Sequence, residues 1–214
     1  MKYKLTITPR TLHFKQPAGT SRGVYTTRKS WFVEATSDDK PGVKGVGECA
    51  PLPDLSCDAR PEYETALTQL CRMTELTGSL NRNMLRPYPS ILFGLETALL
   101  DLERGGTGQL FNTPFTRGEE GICINGLVWM GSYDEMLQRL ETKMKAGYRC
   151  VKLKIGAIDF DRELDLVRHI REAFDESKIE LRLDANGGFA PDEAMNRLEQ
   201  LAQYGIHSIE QPIK

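Results

Sequence analysis

Three short patterns hold side chains that could carry out one reaction together: Lys152-Leu153-Lys154, Leu183-Asp184-Ala185-Asn186 and Ile209-Glu210-Gln211-Pro212. Asp184 and Glu210 offer hard carboxylate oxygens. Such ligands suit Mg²⁺, with Mn²⁺ as an alternative, and leave room for water and substrate oxygens. A lysine near a dication and a second lysine is pushed toward its neutral form and can remove a proton near neutral pH. A substrate carboxylate on the metal gains a second negative charge when its α-proton leaves, and the metal stabilises that enediolate. The chemistry in view is therefore metal-assisted proton abstraction.

These residues must be brought together by the elements that carry them. Val151, Leu153 and Ile155 alternate with Lys152 and Lys154, and Leu181 and Leu183 alternate with Arg182 and Asp184. In a parallel sheet covered by helices the apolar set meets the helices and the polar set faces the other way. The expected strands are Ile122 to Met130, Cys150 to Ile155, Ile179 to Asp184 and Ile206 to Glu210. A helix opens between the first two at the capping box Ser132-Tyr133-Asp134-Glu135. The next carries Leu164, Val167, Ile170 and Phe174 at helical spacing, and the third runs from near Pro191 to Gly205. Strands recurring at roughly 30-residue intervals with helices between them are βα repeats. In a (β/α) barrel the carboxyl ends of the strands form the active-site face, so Lys154, Asp184 and Glu210 are expected to converge there.

The region before about residue 115 has a different pattern. Lys2 to Phe14 and Tyr25 to Ala35 alternate as half-buried antiparallel strands, and helices are expected over Pro61 to Leu76 and Ser90 to Arg104. Strands followed by segregated helices indicate an α+β unit over 1–115, with the βα repeats occupying 116–214. Two irregular stretches interrupt the first unit, Gln16 to Gly23, which reads as a mobile loop, and Glu48 to Asp58.

Composition narrows the function. With 40% hydrophobic and 27% charged residues and a net charge of −2, the 214-residue chain has the material for a packed core and no footprint for nucleic acid or an anionic membrane. A small-molecule carboxylate is the expected partner; the oligomeric state is not readable. The five cysteines, Cys49, Cys57, Cys71, Cys123 and Cys150, form no C-x-x-C, and no apolar run reaches the roughly 18 residues that span a bilayer. A cytoplasmic location fits, with the cysteines expected as small buried apolar residues.

The K-x-K, D-x-N and E-Q-P patterns at these spacings resemble the signatures of the enolase superfamily, whose use of a lysine base with Mg²⁺ is a standing example of tuned acid-base chemistry. The K-x-K form resembles the muconate-lactonising subgroup, which also contains dipeptide epimerases and o-succinylbenzoate synthases. Ile124 to Gly131 and His207 to Lys214 resemble the synthases of menaquinone-making, Bacteroides-type bacteria. The resemblance covers essentially the whole chain and implies an enolase-like fold, an α+β capping domain followed by a (β/α) barrel. It implies that Lys154 is the acid/base lysine, Lys152 its electrostatic partner, and Asp184 and Glu210 two of three Mg²⁺ ligands. It also implies capping-domain loops that close over substrate, with Gly19, Thr20 and Ser21 in one and Leu52 and Pro53 in the other. The reaction implied is syn dehydration of 2-succinyl-6-hydroxy-2,4-cyclohexadiene-1-carboxylate to o-succinylbenzoate. The family's third acidic ligand and second lysine lie on later strands, and the sequence ends at Lys214 before either, so the barrel is expected to be incomplete in this chain.

Plainer readings exist for each residue alone. Lys-x-Lys guards many edge strands, Asp184 could cap a turn, and Glu210 could end a surface strand. Their coincidence at successive strand ends favours a site. Arg182 suits a structural ion pair as well as a substrate role, His13, His169 and His207 are scattered, and Met136 and Met144 pack a helix. Among rival functions, dipeptide or N-acylamino acid epimerisation needs lysines on opposite faces. A Schiff-base aldolase fits poorly beside carboxylates, and a non-catalytic fragment or binding module is the third rival.

Overall fold

A computed structural model describes residues 2–20 and 23–214, with no side-chain description at 19 and 20. The chain divides into two compact units, one of Met1–Pro17 with Tyr25–Gly121 and one of Ala18–Val24 with Ile122–Lys214. The first holds most of a sheet in the order β1 (Tyr3–Thr20), β2 (Gly23–Ser37), β3 (Gly45–Cys49). Trp31, Val33 and Ala35 alternate along β2 and turn one face into a core shared with Leu67 and Leu70 of α1 (Tyr63–Thr77) and Leu95 and Leu102 of α3 (Pro89–Glu103). A short α2 (Arg82–Leu85) joins the helices, its first turn held by the Asn81 side chain accepting from the Met84 amide. The β3 strand lies directly on α3. A Cβ on Gly47 would stand 1.8 Å from the Gly94 carbonyl oxygen and one on Gly45 2.1 Å from that of Ala98, so only glycine permits this approach.

The composition of Gln16 to Gly23 predicts a mobile loop, and here the structure differs: β1 continues to Thr20 and β2 begins at Gly23. Pairing between neighbouring strands satisfies the backbone of residues whose own propensity for strand is low. Ser21 lies outside the described residues, and of Gly19 and Thr20 only the backbone is described. Residues 50–62 are turns. The buried Asp58 fixes the far end of that stretch, its Oδ2 accepting from the Ser90 amide at 2.8 Å and the Ser90 hydroxyl at 2.6 Å. Arg28 holds the near end by donating to the Ala50 carbonyl at 2.7 Å.

The second unit contains a parallel sheet ordered β4 (Gly126–Val128), β5 (Cys150–Lys154), β6 (Glu180–Asp184), β7 (Ser208–Glu210). The helices α4 (Tyr133–Lys145), α5 (Phe160–Ala173) and α6 (Pro191–Ala202) alternate with these strands. Ser132 and Glu135 form the expected capping box of α4, Asp159 caps α5, and Pro191 opens α6. Val128, Val151, Leu153, Leu181 and Leu183 pack with Met136, Leu140, Leu166, Val167 and Ile170 in one core. The β4 strand is shorter than its sequence pattern predicts, because only Gly126 to Val128 pair with β5 while Ile122 and Ile124 are exposed. The expectation of buried cysteines holds for two of five. Cys49 and Cys71 are buried, and burial pushes both thiols up to about 12, whereas Cys57 and Cys123 are exposed and Cys150 is half-buried.

Candidate active site

The register of the parallel sheet sets the site. Lys152 pairs with Arg182 and Lys154 with Asp184 across β5 and β6, and Asp184 pairs with Glu210 across β6 and β7. Because side chains alternate with period two, Lys152, Lys154, Asp184 and Glu210 share the face opposite the helix-packed core. Leu153 and Leu183, one residue away, are buried in that core.

The four side chains meet. The Lys154 ammonium donates to Asp184 Oδ2 at 2.9 Å and to Asn186 Oδ1 at 2.7 Å. Lys152 lies 3.0 Å from the same Asp184 oxygen and also donates to Glu210 Oε2. The Asp184 side chain is 2% exposed, those of Lys154 and Lys152 are 17% and 23% exposed, and that of Glu210 is 61% exposed. The cluster therefore runs from a buried carboxylate to one open to solvent. Arg182 is exposed and pairs with Glu180 at 2.6 Å, which is a structural ion pair with a residue of its own strand.

These contacts set the charges. Burial pushes the Asp184 carboxyl upward, but hydrogen bonds from Lys154 and Lys152 outweigh it and hold the group below the ordinary aspartate range. The hydrogen bond to Glu210 raises Lys152 above the ordinary lysine value, burial opposes this, and Asp184 adds to the rise. Between protein groups alone, the balance at Lys152 thus runs opposite to the shift expected beside a dication.

A cation can be tested against the donors present. Asp184 and Glu210 are hard oxygen ligands on adjacent strand ends, and Asp184 Oδ2 already receives two positive groups. The set suits Mg²⁺ or Mn²⁺ and lacks the thiolate or imidazole that would favour softer metals. Among the described residues no group of three His, Cys, Asp or Glu side chains could hold a metal. Two protein carboxylates would leave most of an octahedron to water and substrate oxygens.

Three more residues shape the site and were not singled out from the sequence. Asn186 steadies Lys154 and has a left-handed backbone at φ 48°, and Gln211 at the end of β7 has φ 41°. Such conformations at two adjacent strand ends mark tightly turned loops beside the cluster. Trp129 follows β4, and its ring centroid lies 5.6 Å from the Lys154 ammonium. The expected strand Ile122 to Met130 contained it, and its alternation with Val128 was the signal that could have assigned it to the face of Lys154. The loop after β5 is held by Glu163 of α5, 1% exposed, whose Oε1 accepts from the amides of Gly156, Ala157 and Ile158 at 2.7, 3.1 and 3.3 Å. Leu52 and Pro53 lie in the turns of the first unit, with Leu52 exposed.

Residues 135–214 match the family model described as enolase C-terminal domain-like, and residues 18–102 match that described as MenC, N-terminal domain. The chain is 41% identical to the o-succinylbenzoate synthase of Desulfotalea psychrophila over 95% of this chain and 63% of that protein. It is 29% identical to the L-Ala-D/L-Glu epimerase of Bacillus subtilis over 90% of this chain and 54% of that protein. The crystal structure of MenC from Desulfotalea psychrophila matches with a TM-score of 0.72 and 34% identity, covering 100% of this chain and 65% of that one. The chain thus spans less than two thirds of the length of each of these relatives.

Proposed function

The chain belongs to the enolase superfamily, with an enolase-like fold, and from that premise we propose that it carries the acid/base lysine and two metal ligands of an o-succinylbenzoate synthase. The proposed enzyme is a lyase that dehydrates 2-succinyl-6-hydroxy-2,4-cyclohexadiene-1-carboxylate to o-succinylbenzoate in menaquinone biosynthesis. The observation that carries the reading is the contact of Lys154 Nζ with Asp184 Oδ2 at 2.9 Å, a proton carrier touching a candidate ligand carboxylate from the next strand.

Asp184 and Glu210 would hold Mg²⁺, which supplies positive charge for the substrate carboxylate. Lys154 Nζ, anchored by Asp184 and Asn186, takes the α-proton when it is present as the neutral amine and so becomes the ammonium. The electron pair of the broken C–H bond is held on the substrate carboxylate as an enediolate and then becomes a ring double bond as the C–O bond breaks, while the same ammonium returns the proton to the departing hydroxyl, which leaves as water. One lysine on one face suffices for this syn elimination, and aromatisation drives it. Lys152, on the same strand and face, offsets the negative charge that develops on the substrate. We assign Gly19, Thr20, Ser21, Leu52 and Pro53 to closure over the substrate. No helix among the described residues is long and apolar enough to cross a membrane, and the five cysteines are free, which supports our placing the enzyme in the cytoplasm.

The similarity to a dipeptide epimerase supports a second reading, epimerisation within the same subgroup. An assay of the purified full-length protein with both substrate classes separates them. Dehydration should stop after dialysis against a chelator and return with Mg²⁺. Dehydration that survives metal removal, or dipeptide epimerisation faster than dehydration, would count against the synthase reading.

A further inference from the structure

The layer of side chains that contains Lys154 and Asp184 has a member on β4. Val128 pairs with Leu153, and both are buried in the helix-facing core, so the next residue on each strand, Trp129 and Lys154, stands on the opposite face at the same height. The 5.6 Å separation between the Lys154 ammonium and the Trp129 ring centroid agrees with that placement. Lys154 is thus tied by hydrogen bonds on its Asp184 and Asn186 side and faced by an indole toward β4. Trp129 is 37% exposed, so part of this large apolar surface stays open. An aromatic wall next to a proton carrier favours a ligand that presents a flat unsaturated ring where the proton is removed, because offset ring stacking adds to the area buried. A dipeptide carries its reacting α-carbon between one amide and the terminal carboxylate, outside any unsaturated ring, and gains less from such a wall.

We propose that Trp129 is a specificity-determining residue of the site, its indole packing against the unsaturated six-membered ring of the substrate while Lys154 reaches the α-carbon; this rests on the synthase reading above. Loss of the wall weakens binding of both the ring substrate and the aromatic product, and Mg²⁺ affinity is untouched because Trp129 offers no metal ligand.

The test uses the full-length protein and the variants Trp129→Ala and Trp129→Phe. Trp129→Ala should raise the KM for the ring substrate and the inhibition constant of o-succinylbenzoate by about five- to tenfold, the size of one lost aromatic contact. Trp129→Phe should restore most of that loss, and both variants should keep the wild-type Mg²⁺ titration. Emission supplies a second readout. Among these 214 residues the other tryptophan, Trp31, is buried, so product binding should change wild-type tryptophan emission and Trp129→Phe should remove the share of that change that Trp129 contributes. Wild-type constants in Trp129→Ala, or a product-induced emission change of undiminished wild-type size in Trp129→Phe, overturn the inference while leaving the synthase reading in place. A wild type that binds the product without dehydrating the substrate overturns the synthase reading, and the emission experiment still judges Trp129. A wild type that neither dehydrates nor binds the product overturns both.

Discussion

Lys154 and Asp184 touch, yet the proposed chemistry gives them separable tasks. Lys154 carries the proton and binds no metal, so Lys154→Ala in the full-length enzyme should cut turnover by at least about a hundredfold, the usual contribution of a positioned proton carrier. Mg²⁺ affinity should stay close to wild type, because Lys152 continues to neutralise the same Asp184 oxygen. Asp184→Asn keeps the shape of the side chain and removes a formal charge from the ligand set, so it should weaken metal binding and turnover together. Metal titration beside a turnover assay distinguishes the two patterns. A Lys154→Ala enzyme retaining more than about a hundredth of the rate would remove the acid/base assignment, and an Asp184→Asn enzyme with unchanged metal affinity would remove Asp184 from the ligands. At this scale the sequence was informative: the K-x-K, D-x-N and E-Q-P patterns led to four residues that meet. The expected strand Ile122 to Met130 contained Trp129 and the D-x-N pattern contained Asn186 without giving either a role, because a ring beside Lys154 and an anchor for its ammonium are contacts between separate strands.

The β5 strand presents Lys154 only as firmly as the loop after it allows, and α5 supplies the clamp. Glu163 accepts from three successive amides of that loop through Oε1, while its buried Oε2 has no hydrogen-bond partner among the described residues. Burial raises the Glu163 carboxyl above the ordinary glutamate value, against the lowering effect of the Gly156, Ile158 and Ala157 amides and of Arg197. A carboxyl that protonates more readily folded than unfolded adds stability that is complete below the unfolded value and is lost as pH rises through the folded one. Glu163→Gln removes this dependence, so its melting temperature relative to wild type should move in the variant's favour as pH rises from about 4 to 7. Parallel melts across that range check it; an opposite trend would mean that folding stabilises the charged form of Glu163, and a constant difference that folding leaves its protonation unchanged. The helices and strands of this unit were legible because their apolar spacing is regular and Ser132, Asp159 and Pro191 mark helix starts. In the other unit the two long strands were legible over Lys2 to Phe14 and Tyr25 to Ala35, but the continuation of β1 to Thr20 and the short α2 were not, since strand pairing and the Asn81 cap outweigh weak local propensities.

For the whole molecule, the four parallel strands raise the question of closure. A closed barrel of this class needs about eight strands, and among the described residues β7 pairs with β6 alone. A polypeptide of these 214 residues alone would leave backbone groups of β7 unpaired and Ile209 incompletely covered, so it should self-associate and show no dehydratase activity. A polypeptide extended by strands that close the sheet should be soluble, Mg²⁺-dependent and active. Light scattering and turnover measured on both lengths decide the matter; a dispersed, active 214-residue polypeptide would mean that the four strands already make a sufficient site.

The sequence by itself determined the layer on which each candidate residue stands, because side-chain alternation along a strand is a local property with a fixed period. It therefore placed Lys152, Lys154 and Asp184 on the face opposite Leu153 and Leu183. Only the tertiary structure decided that Asp184 is buried beneath two ammonium groups while Glu210 stays open, and that the indole of Trp129 faces Lys154. It alone decided which two of the five cysteines lie in a core. Burial and long-range pairing depend on segments far apart in the chain, such as Lys154 and Asp184 at a sequence separation of 30, and local sequence carries no record of which distant segment will remove a given side chain from water.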